Sequence, residues 1–169
     1  MGKTKIYING VADSNTYTDN NTYLSHTSSL IGALTDSNYS SNYHFPGYIS
    51  NFRISSVSRY AANFTPPTSP FTSDSNTSAL INSNRFVDTS SSANTITANG
   101  TPKIEKFSPF PGAEYGVGSN YGSAYFDGTN DFLTSADVGN FGTGDLTWEC
   151  WFYPTDSSST YRACLLYTS

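Results

Sequence analysis

Apolar and polar residues alternate along several short stretches of the chain, and nowhere do they recur at helical spacing. The clearest stretch is DLTWECWFYP, Asp145 to Pro154. Leu146, Trp148, Cys150 and Phe152 fall on one side of an extended chain; Thr147, Glu149, Trp151 and Tyr153 fall on the other. Successive side chains of a strand point to opposite faces, so this alternation predicts a strand whose first set faces a core. Pro154 ends it, because proline brings no N–H to a ladder. The pattern repeats on a smaller scale in KIYINGV, Lys5 to Val11, where Ile6 and Ile8 are expected to turn inward. Asn9-Gly10 then suits a type I′ hairpin turn, which needs φ > 0 at both central positions.

Short apolar runs between clusters of turn residues fill the rest. SSLIGAL (Ser28–Leu34) reads as a short buried strand. In FPGYISNFRI (Phe45–Ile54) the inward set is Ile49, Phe52 and Ile54, and its uneven spacing predicts a bulge. ALIN (Ala79–Asn82), FVD, NTITANG and KIEKFSPF continue the series. GSAYFDG (Gly122–Gly128) and DFLTSA (Asp131–Ala136) flank Thr129-Asn130 like the arms of a tight hairpin. The run from Ala62 to Ser78 holds three prolines and no strand period, which predicts an extended connector. Recurring strands and no amphipathic helix predict an all-β, antiparallel sandwich.

Composition sharpens this picture. Charged residues make up 12% of the chain, against ~25% in an ordinary soluble domain, and Ser, Thr and Asn take their place. Aromatics reach 15%, with 13 Tyr and 11 Phe, so strand and turn formers outweigh helix formers. A net charge of −5 with eight scattered Lys and Arg argues against nucleic acid as a partner. No run approaches the ~20 apolar residues of a membrane span, and no apolar leader core opens the chain, so membrane insertion is not expected. Two cysteines, Cys150 and Cys164, make no disulfide framework. The overall balance resembles that of extracellular or virion-surface proteins more than that of cytosolic enzymes, so such a location is expected.

The run GSAYFDGTNDFLTSADVGNFGTGDLTWECWFYP resembles the first half of a laminin-G-like domain of the concanavalin A-like lectin/glucanase superfamily. KIYINGV and GYISNFRISSVSRY resemble strands of that domain's second half, and NFTPPTSPFTSDSNTS resembles the linker between such domains in phage tail-fibre and marine virion proteins. The halves stand in reversed order, and the strands normally between them are missing. The resemblance therefore implies a jelly-roll sandwich that is incomplete or circularly permuted, the chain spanning a junction between tandem repeats. Residues 1–62 would end one domain, 63–76 would be the linker, and 77–163 would begin the next. Ala79–Asn82 should then pair antiparallel with Tyr48–Ile54, as last and first strands do in the family. The final CLLYTS, Cys164 to Ser169, is what the transposon mosaic end of sequencing libraries encodes. Residues 164–169 are therefore expected to be translated adapter; the other reading is an apolar strand continuing the sheet.

The chemistry that these residues offer is that of binding. Asp127, Asp131, Asp137 and Asp145 lie on or beside loops, where carboxylates hold Ca²⁺, but turn aspartates usually cap their own backbone, so no metal site is assigned. His26 and His44 sit in polar stretches and read as solvated. No carboxylate stands two residues to either side of Glu149 or four residues after it, where Thr147, Trp151 and Tyr153 lie, whereas retaining hydrolysis needs a pair ~5 Å apart. The chain is thus not expected to be an enzyme. In the superfamily one sheet is concave and presents aromatics to sugar rings, which implies Trp151 and Tyr153 as ligand-binding residues. The expected function is a carbohydrate-binding recognition or adhesion module of a repetitive surface or virion fibre protein, with glycans and neighbouring repeats as partners. A purely structural spacer repeat is the alternative, and a glycosidase relative lacking its catalytic strand the third.

Overall fold

The structure is a computed structural model and describes residues 2–23, 29–34, 43–82, 85–110, 121–136, 138–156 and 165–166. Among these residues the only regular elements are strands. In chain order they are β1 (Gly2–Thr4), β2 (Tyr7–Ile8), β3 (Val11–Ala12), β4 (Tyr17–Asp19), β5 (Ser29–Ile31), β6 (Ala33–Leu34) and β7 (Tyr43–His44). They continue with β8 (Pro46–Ser55), β9 (Thr77–Ile81), β10 (Ile96–Asn99), β11 (Lys103–Glu105) and β12 (Ser123–Asp127). The last are β13 (Phe132–Ser135), β14 (Thr147–Pro154) and β15 (Leu165–Leu166). All pairings are antiparallel.

Two larger sheets carry the fold. One runs β10–β13–β5–β15. The other runs β11–β12–β8–β14, with β9 also paired to β8. Strands from residues 29–55 and from residues 77–154 thus share both sheets. The expected pairing of Ala79–Asn82 with Tyr48–Ile54 is present: Ala79 opposes Ile54 and Ile81 opposes Phe52. The core draws on both sheets, with Ile31 and Leu133 from one and Ile49, Phe52, Ile54, Ala79, Ile81, Ala124 and Phe126 from the other.

The bulge expected in Phe45–Ile54 sits where β8 meets β14. Glu149 opposes Arg53 and Trp151 opposes Ser50, so Asn51 and Phe52 together face Cys150. Asn51 takes φ +50, a left-handed conformation that asparagine tolerates, and its side chain is fully buried. The bulge keeps Ile49, Phe52 and Ile54 in the core despite their spacing. The Asn9-Gly10 turn also forms, with φ of +52 and +78 at its two residues, and joins β2 to β3.

Several expectations are corrected. The segments 122–128 and 131–136 do not form a hairpin: β12 pairs with β11 and β8, while β13 pairs with β10 and β5. The chain crosses between sheets at Gly128–Asn130, and buried Asp131 fixes the corner by accepting from the Thr101 and Asp127 N–H groups at 2.6 and 3.1 Å. Ile6 and Ile8 do not turn inward; Ile8 is 63% exposed. Tyr7 is the buried-side residue, its ring against Tyr60 and Phe64. Phe86–Asp88 is not a strand. His44 is buried on β7 beside the Phe132 ring rather than solvated. Phe152, assigned to the core, is exposed because it lies near the end of β14 with no further strand beside it among the described residues. His26, Asp137, Cys164 and most of 164–169 lie outside the described residues; Leu165 and Leu166 pair with β5.

A candidate ligand-binding face

The sheet built on β8 has one face on the core and one turned away from it. Three tyrosines on the outer face stand in register. Tyr125 of β12 opposes Tyr48 of β8, and Tyr48 opposes Tyr153 of β14. Lys103 of β11 opposes Tyr125 and extends the row to four strands. Strands lie ~4.8 Å apart, so the row spans ~14 Å. Ring centroids of Tyr48 lie 5.1 Å from Tyr125 and 6.4 Å from Tyr153. Phe107, in the chain just after β11, closes onto the row at 4.7 Å from Tyr48 and 5.3 Å from Tyr153. Tyr48 and Tyr125 are half-buried behind it, while Phe107 and Tyr153 are 46% and 56% exposed.

Trp151 shares this outer face, one step along β14 from Tyr153, and opposes Ser50. It is half-buried, its ring edge-on to buried Phe110 at 5.8 Å. Tyr153 therefore offers free ring surface, and Trp151 is largely occupied by Phe110. Trp148 packs against the core cluster from the other side, yet it is half-buried too. At Trp148 and Trp151 both sides of β14 are therefore partly covered, which corrects the expectation of a single covered face.

Further along the outer face, the Pro-rich connector is held down rather than free. Arg53 donates from Nε to Glu149 Oε1 at 2.8 Å, and its Nη2 lies 2.7 Å from the same oxygen. The Tyr60 hydroxyl donates to Glu149 Oε2 at 2.6 Å. The Arg53 guanidinium also lies 4.2 Å over the Phe71 ring and donates to the Thr72 carbonyl. Buried Asn51 accepts from the Phe71 N–H at 2.9 Å. Arg59 donates to both Asp74 oxygens at 3.0 and 2.9 Å and to Ser55 Oγ at 2.6 Å. The Tyr60 hydroxyl is pushed up to about 12, first by burial and then by its bond to Glu149. The Asp74 carboxyl is held well below its usual range, first by Arg59 and then by Thr77. Residues 56–76 thus form a strap across the sheet.

The loop carboxylates Asp88, Asp127 and Asp131 have backbone partners. Asp127 accepts from the Thr129 N–H at 2.8 Å, capping its own turn. Asp88 accepts from the N–H groups of Leu80, Ser90 and Asn94 and from the side chains of Ser90 and Asn94. Among the described residues no three His, Cys, Asp or Glu side chains converge as metal ligands would.

Of the ligand residues named from sequence, Tyr153 lies in the row and Trp151 beside it. Sequence reasoning missed Tyr48, Tyr125 and Phe107, because the row exists only once the register of three strands is known. No family model matches the chain, and no curated protein and no solved structure matches it.

Proposed function

We propose that this chain is a non-enzymatic recognition module that binds carbohydrate on the outer face of the β8 sheet. The observation that carries this reading is the in-register row Tyr125–Tyr48–Tyr153, capped by Phe107. Aromatic faces suit the apolar faces of pyranose rings, and phenolic hydroxyls give hydrogen bonds at the rim. Three rings at strand spacing present a surface as long as a short oligosaccharide. The two larger sheets, which share core residues, fit a laminin-G-like jelly-roll sandwich whose second-half strands precede its first-half strands. Such modules suit a repetitive extracellular or virion-surface fibre, with neighbouring repeats as further partners.

Hydrolysis is a poorer reading. Both oxygens of Glu149 are already taken, one by Arg53 and the other by Tyr60, so the carboxylate is committed to the strap. The structural-spacer reading draws on the strap itself, whose ties stiffen the outer face.

A glycan array probed with the full chain, repeated with Tyr153→Ala and Phe107→Ala, tests the proposal. Both positions are exposed, so the variants should fold. Each should weaken the bound glycan at least ~10-fold, equivalent to ~1.4 kcal/mol. An array without binding, or binding indifferent to both variants, would replace recognition by the spacer role.

A further inference from the structure

β14 is an edge strand: it pairs with β8 on one side, and no strand of the described residues pairs with its other edge. In an antiparallel pair, alternate residues direct their N–H and C=O away from the partner, so this edge offers main-chain donors and acceptors along its length. Native edges are usually blunted by lysine, proline or an inward charge. In β14 the charge is Glu149, which Arg53 neutralises, and the only proline is terminal Pro154.

A slot runs along this edge. One wall is residues 143–152 and the other is residues 2–10, with Tyr60 and Phe64 also lining it. No β8 residue lines the slot, so it follows the free edge rather than a sheet face. A strand fills a cross-section of ~4.8 by ~10 Å and advances ~3.3 Å per residue, so the slot's 930 Å³ holds ~6 extended residues. Exposed Ile6, Ile8 and Phe152 lie on its walls. The 2–10 wall carries Lys3 and Lys5, both exposed and without an ion pair among the described residues. Its neighbour Asp19 is already engaged by Thr4 and Tyr23.

We infer that the slot is a strand-acceptor site for one extended peptide segment, apolar at alternate positions and acidic at the end that meets Lys3 and Lys5. The edge supplies a hydrogen-bond ladder, the walls cover alternate side chains, and the lysines set which end lies where. The second wall argues for a lone segment over a second copy of the chain, because a partner's whole sheet would collide with residues 2–10. This inference is independent of carbohydrate binding at the tyrosine row.

The probe is a capped hexapeptide of alternating valine and threonine with aspartate at one end, titrated into the full chain. Tryptophan fluorescence reads binding, since Trp148 and Trp151 line the slot. Hydrogen exchange reads the main chain of β14. Saturable binding with slowed exchange over Asp145–Pro154 is expected. The same peptide with a central proline should not bind, because it breaks the ladder. The surface variant Lys3→Glu/Lys5→Glu should bind at least ~10-fold more weakly. Absent binding, equal binding of the proline peptide, unaltered affinity of the lysine variant, or unchanged β14 exchange on binding would each overturn the inference. So would self-association through β14 that the peptide cannot displace, which would make a second copy the occupant.

Discussion

Replacing Glu149 by alanine tests the strap at its centre. The side chain is 12% exposed and that of Arg53 10%, so the pair is nearly dry. Without Glu149, Arg53 keeps only the Thr72 carbonyl at 3.3 Å and the Phe71 ring, and the Tyr60 hydroxyl loses its acceptor. Removing one partner of a buried ion pair costs ~3–5 kcal/mol, mostly through the charge left behind. The residual exposure admits some water, so Glu149→Ala should fall at the lower end, ~3 kcal/mol. The double variant Arg53→Met/Glu149→Leu removes both charges and keeps apolar bulk. It should cost ~1 kcal/mol, far less than the two single changes together. Urea unfolding followed by tryptophan fluorescence measures all three. A Glu149→Ala cost below ~1 kcal/mol would show that the pair behaves as a surface contact. A double variant as costly as the sum of its singles would show that the two side chains act independently. Either result would refute the strap as a coupled unit.

Alkali should loosen the same strap. Tyr60 is raised from 10.0 to about 12, so the native state favours the protonated phenol; the linked stability is whole below pH 10 and declines as pH rises to about 12. Comparing the chain with Tyr60→Phe by phenolate absorbance and unfolding should show that decline only in the parent, and titration of Tyr60 near 10 would contradict its burial. At the acid end, Asp74 is lowered from 3.8, so its contribution holds above that value and is lost as pH falls toward the lowered one; Asp74→Asn should flatten the acid limb of the stability profile. Buried Asp88 organises its loop through five donors, and Asp88→Ala should cost ~3 kcal/mol by calorimetry, because buried donors left unpaired cost ~1–3 kcal/mol each and water recovers some.

Local signals in the sequence carried much of the fold. Alternation located β14, the Asn9-Gly10 pair located the first turn, and irregular spacing located the bulge at Asn51. What local pattern could not carry is which strands meet. The stretch around Thr129-Asn130 looks like a hairpin because a turn and two apolar runs are all a window contains. The deciding contact is Asp131 with the Thr101 N–H, 30 residues away. The inward reading of Ile6 and Ile8 failed for a similar reason: a two-residue ribbon alternates correctly whichever side finds a neighbour, and here Tyr7 found Tyr60 and Phe64. The strap was invisible for lack of register, although one clue was present. In a chain with so few charges, Arg53, Arg59, Asp74 and Glu149 gather in one place.

The central position of β8 has a kinetic consequence. It is completed by residue 55, yet two of its three partners, β12 and β14, begin at residues 123 and 147. During synthesis at ~5–20 residues per second, the nascent β8 waits ~5–20 s before β14 has been made. Over that interval Ile49, Phe52 and Ile54 have no completed sheet to cover them. In refolding of the finished chain, the same pairings demand closure of loops of tens of residues before any ladder forms, which places folding in the slow, millisecond-to-second regime of non-local β topologies. The strand that holds the native sheet together is therefore also one that waits uncovered while the chain is being made.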